Sequence, residues 1–300
     1  MKNNLSSWVI TSDEACSLAI NKGDLKFITY VNAIDVHLPL YHYLVKIFST
    51  IFAFFINTLK DEVIALRFFS LLPIFILFVF FIYQGYRHNS SYYVFPLFLL
   101  QYWAIVSYAN VIRMYSWSVF FCFLSIFYLF KVAFDDEGLQ KKNWLLMILL
   151  TILACYTHYY TILSEILIFL TIGLLKFNNK YFRRRLIASG IVVLIAFLPW
   201  LFYSGIKQLT TTKQYYWSQD VTPELLRGCY YFVTNTDFLK RSMMIVIGIV
   251  IFVYSFLIVV RKSDSKNSKT IIASVVCTIL PFVEMILSVV IARIYRPVLV

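Results

Sequence analysis

Two adjacent carboxylates, Asp13 and Glu14, stand near the start of the chain in TSDEACSLA. An ionised carboxylate can take a proton from a hydroxyl nucleophile. Asp35 and His37 follow in DVHLPLYHYLVKIF, then Arg67 in DEVIALRFF, Arg113 in IRMYSW and His158 in YTHYYT. Arginine holds phosphate or carboxylate through paired hydrogen bonds from a planar fork. Carboxylates and arginines together suit a group transfer in which a phosphate leaves and an acceptor hydroxyl is deprotonated. Asp13, Glu14, Asp35 and His37 are also of types that can hold a divalent metal, although nothing in their spacing demands one. A structural reading exists beside the chemical one. Ser12 can cap a helix with Asp13 and Glu14 in its first turn, and Asp35 and His37 can cap the helix that follows Pro39.

These groups need elements to position them, and the composition says what kind. The 300 residues are 61% hydrophobic and only 14% charged, against about 25% charged in soluble domains. Apolar stretches at 63–84, 91–109, 115–133, 144–158, 161–176, 186–205, 241–261 and 270–292 lie near the ~20 residues that span a bilayer. The expected fold class is an all-α polytopic membrane protein with about eight transmembrane helices. Asn110 and Arg113 break the run 91–133 into two helices, and YTHYY at 156–160 breaks 144–176 into a hairpin with His158 at its tip. Unbroken, 144–176 would make a helix about 50 Å long, well beyond the hydrocarbon core.

Charge orients the spans. Arg87, the group Lys131, Lys141 and Lys142, the stretch 176–185 and the stretch 261–269 hold thirteen of the 27 basic residues. The two-hairpin reading puts all of them on one face, which the positive-inside rule makes cytoplasmic. The formal +12 charge is therefore a topology signal, and no nucleic-acid partner is expected. The opposite face receives Asp13, the tips at Arg113 and His158, and an outer loop at 206–240. Residues 38–58 carry His42 and Lys46 after Pro39 and read as an amphipathic interfacial helix. The chain thus divides into an extracytoplasmic first loop, 1–62, and a transmembrane bundle, 63–300. Glu165 and Glu284 fall inside spans, where a carboxyl is costly and pairs with an Arg or His inside the bundle, or serves a function.

The order of these segments resembles the GT-C glycosyltransferases, in particular the group related to protein O-mannosyltransferases and lipid A aminoarabinose transferases. DEACSLA followed by DVHLPLYHYLVKIF is similar to that group's first outer loop; DEVIALRFFSLLPIF, IRMYSWSVFF, YTHYYTILSEILIF and YYWSQDVTPELL are similar to later segments. Leu38 replaces the first proline of the group's usual pair. The group's span before the acidic pair and its continuation after RIYRPVLV have no counterpart here, so a member truncated at both ends is expected.

The resemblance implies a GT-C-like bundle and a mannosyltransferase-like enzyme at the cell membrane. It would move a sugar, with inversion, from a polyprenyl-phosphate donor to a glycan, protein or lipid acceptor on the extracytoplasmic side. Asp13 and Glu14 become the catalytic carboxylates, and Arg67, Arg113, His158, Asp35 and His37 the substrate-binding set, Arg67 being the first phosphate ligand. A phosphate leaving group needs cations rather than a general acid, so one base and a cationic cradle suffice. Two other readings stay open: a transporter or flippase of lipid-linked sugars, which an internal repeat would favour, and a non-catalytic membrane scaffold.

Overall fold

The structure is a computed structural model that describes residues 10–35, 37–87, 108–134 and 140–214. Among the described residues it contains eight α-helices and no strand. They are α1 (Ser12–Lys22), α2 (Leu25–Ile34), α3 (Leu40–Ile51), α4 (Leu59–Arg87), α5 (Tyr115–Phe134), α6 (Lys141–Cys155), α7 (Tyr159–Leu175) and α8 (Lys180–Gln214). Three of them, α4, α5 and the Lys180–Gly205 part of α8, are long and apolar enough to cross a membrane. The chain is a multi-pass membrane protein on that ground. The expected span at 91–109 except its last two residues, those at 241–261 and 270–292, Glu284 and most of the outer loop 206–240 lie outside the described residues.

The first loop folds as three short helices because its sequence supplies both starts and stops. Thr11 caps α1, accepting from the Glu14 amide at 3.2 Å while the Glu14 carboxylate accepts from the Thr11 amide at 3.0 Å. This reciprocal box satisfies two amides that the helix end leaves open. Ser12, expected as the cap, is instead the first helical residue. The chain turns at Gly23, where an added Cβ would stand 2.1 Å from the Phe27 ring, so close approach selects glycine there. Asp24 then caps α2 by accepting from the Phe27 amide at 2.7 Å.

Asp35 ends α2, and α3 begins after Pro39 without a side-chain cap. The expected capping of α3 by Asp35 and His37 does not occur, because those two side chains face each other at 2.7 Å. With 12 residues, α3 is about 18 Å long, too short to cross a hydrocarbon core of about 30 Å. It buries Tyr41, His42 and Val45 and exposes Ile47 and Ile51. A short 3₁₀ turn, Ala53–Phe55, leads on to α4. There Thr58 and Asp61 repeat the reciprocal box, each amide meeting the other's side chain at 3.0–3.2 Å.

The chain forms two compact units. The first takes the described residues of 1–124, 150–161 and 195–214; its core draws Leu18 from α1, Tyr41 and Val45 from α3, Leu66 and Phe69 from α4, and Ile112 from the segment before α5. The second takes 125–149 and 162–194 of the described residues and packs Leu129, Trp144, Met147, Ile168, Ile172 and Phe182. Trp144 and Met147 near the start of α6 meet Ile168 and Ile172 near the end of α7, so these helices form the expected antiparallel hairpin. Its turn falls at 156–158, and the Leu40 amide donates to the Tyr156 carbonyl at 3.3 Å, tying the hairpin tip to α3.

Removing the Thr11 hydroxyl should release the first turn of α1. Thr11→Ala is expected to lower the stability of the detergent-solubilised protein by about 1 kcal/mol, and Thr11→Ser to retain it, as read from thermal unfolding.

Candidate functional site

Every described site residue foreseen from the sequence lies in the first unit. Successive helical residues point about 100° apart, so Asp13 and Glu14 cannot share surroundings. Glu14 turns inward. Both it and Arg67 are completely buried, and the Arg67 Nε and Nη2 donate to the two Glu14 oxygens at 3.0 and 2.9 Å. The Ile112 amide adds a contact to Glu14 Oε1 at 3.3 Å. Burial alone would raise the Glu14 carboxyl, but the Arg67 fork and the Thr11 and Ile112 amides outweigh it and hold it below the ordinary carboxylate value. One turn past Arg67, Ser70 meets the buried Tyr41 hydroxyl at 3.2 Å.

Asp13 turns outward. Its side chain is 59% exposed, and Oδ1 forms an ion pair with Arg113 Nη2 at 2.8 Å. Arg113 is almost buried, and its Nη1 stands 3.2 Å from His37 Nε2. A guanidinium only donates, so Nε2 accepts and the Nδ1–H is left to face Asp35 at 2.7 Å. The result is a chain Asp13–Arg113–His37–Asp35 drawn from α1, the segment before α5, and the link between α2 and α3.

His158, at the hairpin tip, accepts from the Tyr160 amide through Nδ1 at 3.2 Å, and its ring lies 6.0 Å from that of Tyr115. Burial, with a smaller push from His37, lowers its pKa to about 4. His42 is sealed beneath the same region, with Nδ1 at 2.9 Å from Asn32 Oδ1. Burial first, then the neighbouring His37 and Arg113, push it down to about 3.

The structure therefore redistributes the foreseen roles. Asp13, Arg113, His37 and Asp35 come together, with His158 nearby. Arg67 does not present its fork at the surface, because α4 enters the unit with Leu66 and Arg67 facing the core and Glu14 closing on the guanidinium. Glu14 is likewise withdrawn from proton transfer, since both its oxygens already accept. Among the described residues no group of three His, Cys, Asp or Glu side chains is placed to hold a metal. Asp13 and Glu14 each face an arginine instead. Glu165 is buried in α7, accepting from the Ser125 hydroxyl at 2.9 Å.

Two features were missed by reading along the chain. The reciprocal box was visible in Thr11-x-x-Glu14, a recognised start signal that also fixes which acid points inward. No local signal marks the contact between Arg113 and His37, 76 positions apart. No family model, no curated protein and no solved structure matches the chain.

The two acids should respond differently to removal. Glu14→Ala strands the Arg67 charge in the core and is expected to cost about 3–5 kcal/mol, with Glu14→Leu/Arg67→Met recovering most of it. Asp13→Ala, at a half-open pair, should cost less than about 1 kcal/mol. Thermal unfolding in detergent measures both.

Acid should also weaken the fold. Unfolded histidine binds a proton below its ordinary value of 6.5, whereas folded His42 and His158 resist until about 3 and 4. Stability should thus fall as pH drops from about 6.5 towards 4, by up to about 1.4 kcal/mol per pH unit for each histidine. Glu14, depressed in the fold, contributes fully above its unfolded value and adds to the loss only as pH falls below it. A His42→Gln variant that keeps the fold should show a shallower acid slope in the same measurement.

Proposed function

We propose that the protein is a membrane glycosyltransferase. It moves a sugar from a polyprenyl-phosphate donor to an acceptor hydroxyl on the extracytoplasmic face, with inversion at the anomeric carbon. One observation carries the reading: an exposed carboxylate, Asp13, stands beside an arginine in a chain whose long helices lie in a bilayer. The order of the segments, which resembles the GT-C enzymes, points the same way.

The chemistry follows from those groups. The acceptor oxygen attacks the anomeric carbon as the bond to the phosphate oxygen breaks. Asp13 takes the hydroxyl proton, and the leaving phosphate keeps the bonding pair and needs only positive charge nearby. Arg113 supplies that charge, and His37, backed by Asp35, holds its Nη1. Arg67 acts one layer below: it fixes Glu14, and Glu14 fixes the first turn of α1 and the Ile112 amide beside Arg113. The acceptor is a glycan, protein or lipid hydroxyl.

The membrane supports the placement of the site. Within the first unit, α4 runs from Leu59, with Asp61 and Glu62 in its first turn, to Arg87 over 29 residues, about 44 Å. That length crosses the hydrocarbon core, so the basic end and the site end lie on opposite faces, and basic ends stay inside.

Asp13→Asn should abolish sugar transfer while donor binding survives, scored in proteoliposomes with a radiolabelled polyprenyl-phosphate sugar. Unchanged transfer would remove Asp13 as the base. Arg113→Lys keeps the charge but loses the planar fork, and should cost roughly tenfold to a hundredfold in transfer.

The side of the membrane is tested separately in a background without native cysteines. Lys22→Cys should react with an impermeant maleimide in intact cells, and Arg87→Cys only after permeabilisation. The reverse pattern would put the site in the cytoplasm.

A further inference from the structure

Four rings run in series beside the Asp13–Arg113 pair. Tyr108 meets Tyr115 edge-on with centroids 5.5 Å apart, and Tyr115 lies 6.0 Å from His158. His158 in turn stacks on Tyr160 at 5.5 Å with 22° between the ring planes. Tyr108 and Tyr115 flank the turn that carries Arg113, and His158 and Tyr160 come from the hairpin tip, so tertiary structure assembles the strip. Its two end rings are exposed, Tyr108 by 41% and Tyr160 by 51%.

The polar neighbours of this strip say what kind of ligand suits it. Arg113 and Asp13 are electrostatic neighbours of the Tyr115 hydroxyl, and His37 is a neighbour of His158. Asp13 is open to solvent beside them, with one oxygen on Arg113. Burial keeps the His158 ring uncharged near neutrality, so it offers a π face rather than a cation. A pyranose has the matching character: one face of C–H groups and a rim of hydroxyls. Tyrosines that merely anchor a helix in the interface need the rings alone. They need no open carboxylate and buried arginine along the same edge.

We propose that Tyr108, Tyr115, His158 and Tyr160 form a stacking platform for a sugar ring, with Asp13 and Arg113 at its hydroxyl edge. The platform rests on the glycosyltransferase reading and deepens it by naming where the pyranose lies.

The test is saturation-transfer NMR on the full chain in phosphatidylethanolamine–phosphatidylglycerol nanodiscs. The probes are methyl glycosides of glucose, mannose, galactose and N-acetylglucosamine. At least one should receive saturation, strongest on the protons of a single C–H face. Tyr108→Ala and Tyr160→Ala should each weaken that binding roughly twofold to tenfold, and Tyr160→Phe should preserve it. Both alanine changes are at exposed rings, and an unchanged melting temperature certifies the fold.

Three outcomes would overturn the platform: no glycoside saturated, binding indifferent to both alanine changes, or alanine effects confined to membrane insertion, which marks an interfacial anchor. Failure here with Asp13→Asn still abolishing transfer leaves the enzyme and moves its sugar elsewhere. Glycoside binding without any transfer activity leaves the platform and removes the enzyme.

Discussion

The first unit depends on one buried ion pair. Glu14 and Arg67 come from α1 and α4, and neither keeps contact with solvent. Removing two charges from water costs several kcal/mol apiece, and only close geometry with further hydrogen bonds offsets that cost. Here the geometry is a two-pronged fork, and the Thr11 and Ile112 amides occupy the carboxylate as well. The pair therefore specifies more than it stabilises. It fixes where α1 begins, how α1 sits on α4, and where the segment carrying Arg113 passes.

That constraint separates two acids that are neighbours in the chain. Once Glu14 is drawn inward, the helix turns Asp13 outward to Arg113, whose opposite side leans on His37 and Asp35. A sealed pair lies under a half-open one. The sealed pair gives rigidity without chemistry, because both oxygens of its carboxylate are taken. The half-open pair keeps a carboxylate within reach of a ligand, held by an arginine that packing has already oriented. In the proposed transfer, charge held in place this way needs no reorganisation during the reaction and lowers its barrier.

The bilayer explains much of the remaining polar detail. Backbone groups inside lipid must be paired within the helix, and buried hydroxyls turn to nearby carbonyls or to other side chains. Thr171, Ser189 and Ser204 each donate to the carbonyl four residues earlier. Ser125 turns to Glu165 instead, giving that intramembrane carboxyl a donor. At the ends of helices in the second unit, Lys176 lies over the Phe134 ring and Arg185 over those of Trp144 and Tyr181, so basic side chains cover apolar surface.

Sequence alone determined the described spans from 63 to 205, the membrane and the bend at His158, because these follow from local quantities: runs of apolar residues, charges at their ends, and polar interruptions. It also picked out side chains that the fold brings together, since acids, arginines and histidines are scarce in so apolar a chain. It did not determine their roles. Arg67 looked like a surface ligand because it sits near the start of a span, and only the packing of α4 against α1 turned it inward. Asp35 and His37 looked like caps, yet they face each other and Arg113, which lies 76 positions beyond His37. Which of two adjacent carboxylates is sealed and which is open depends on what each meets across the fold, and contacts that distant leave no trace in local spacing.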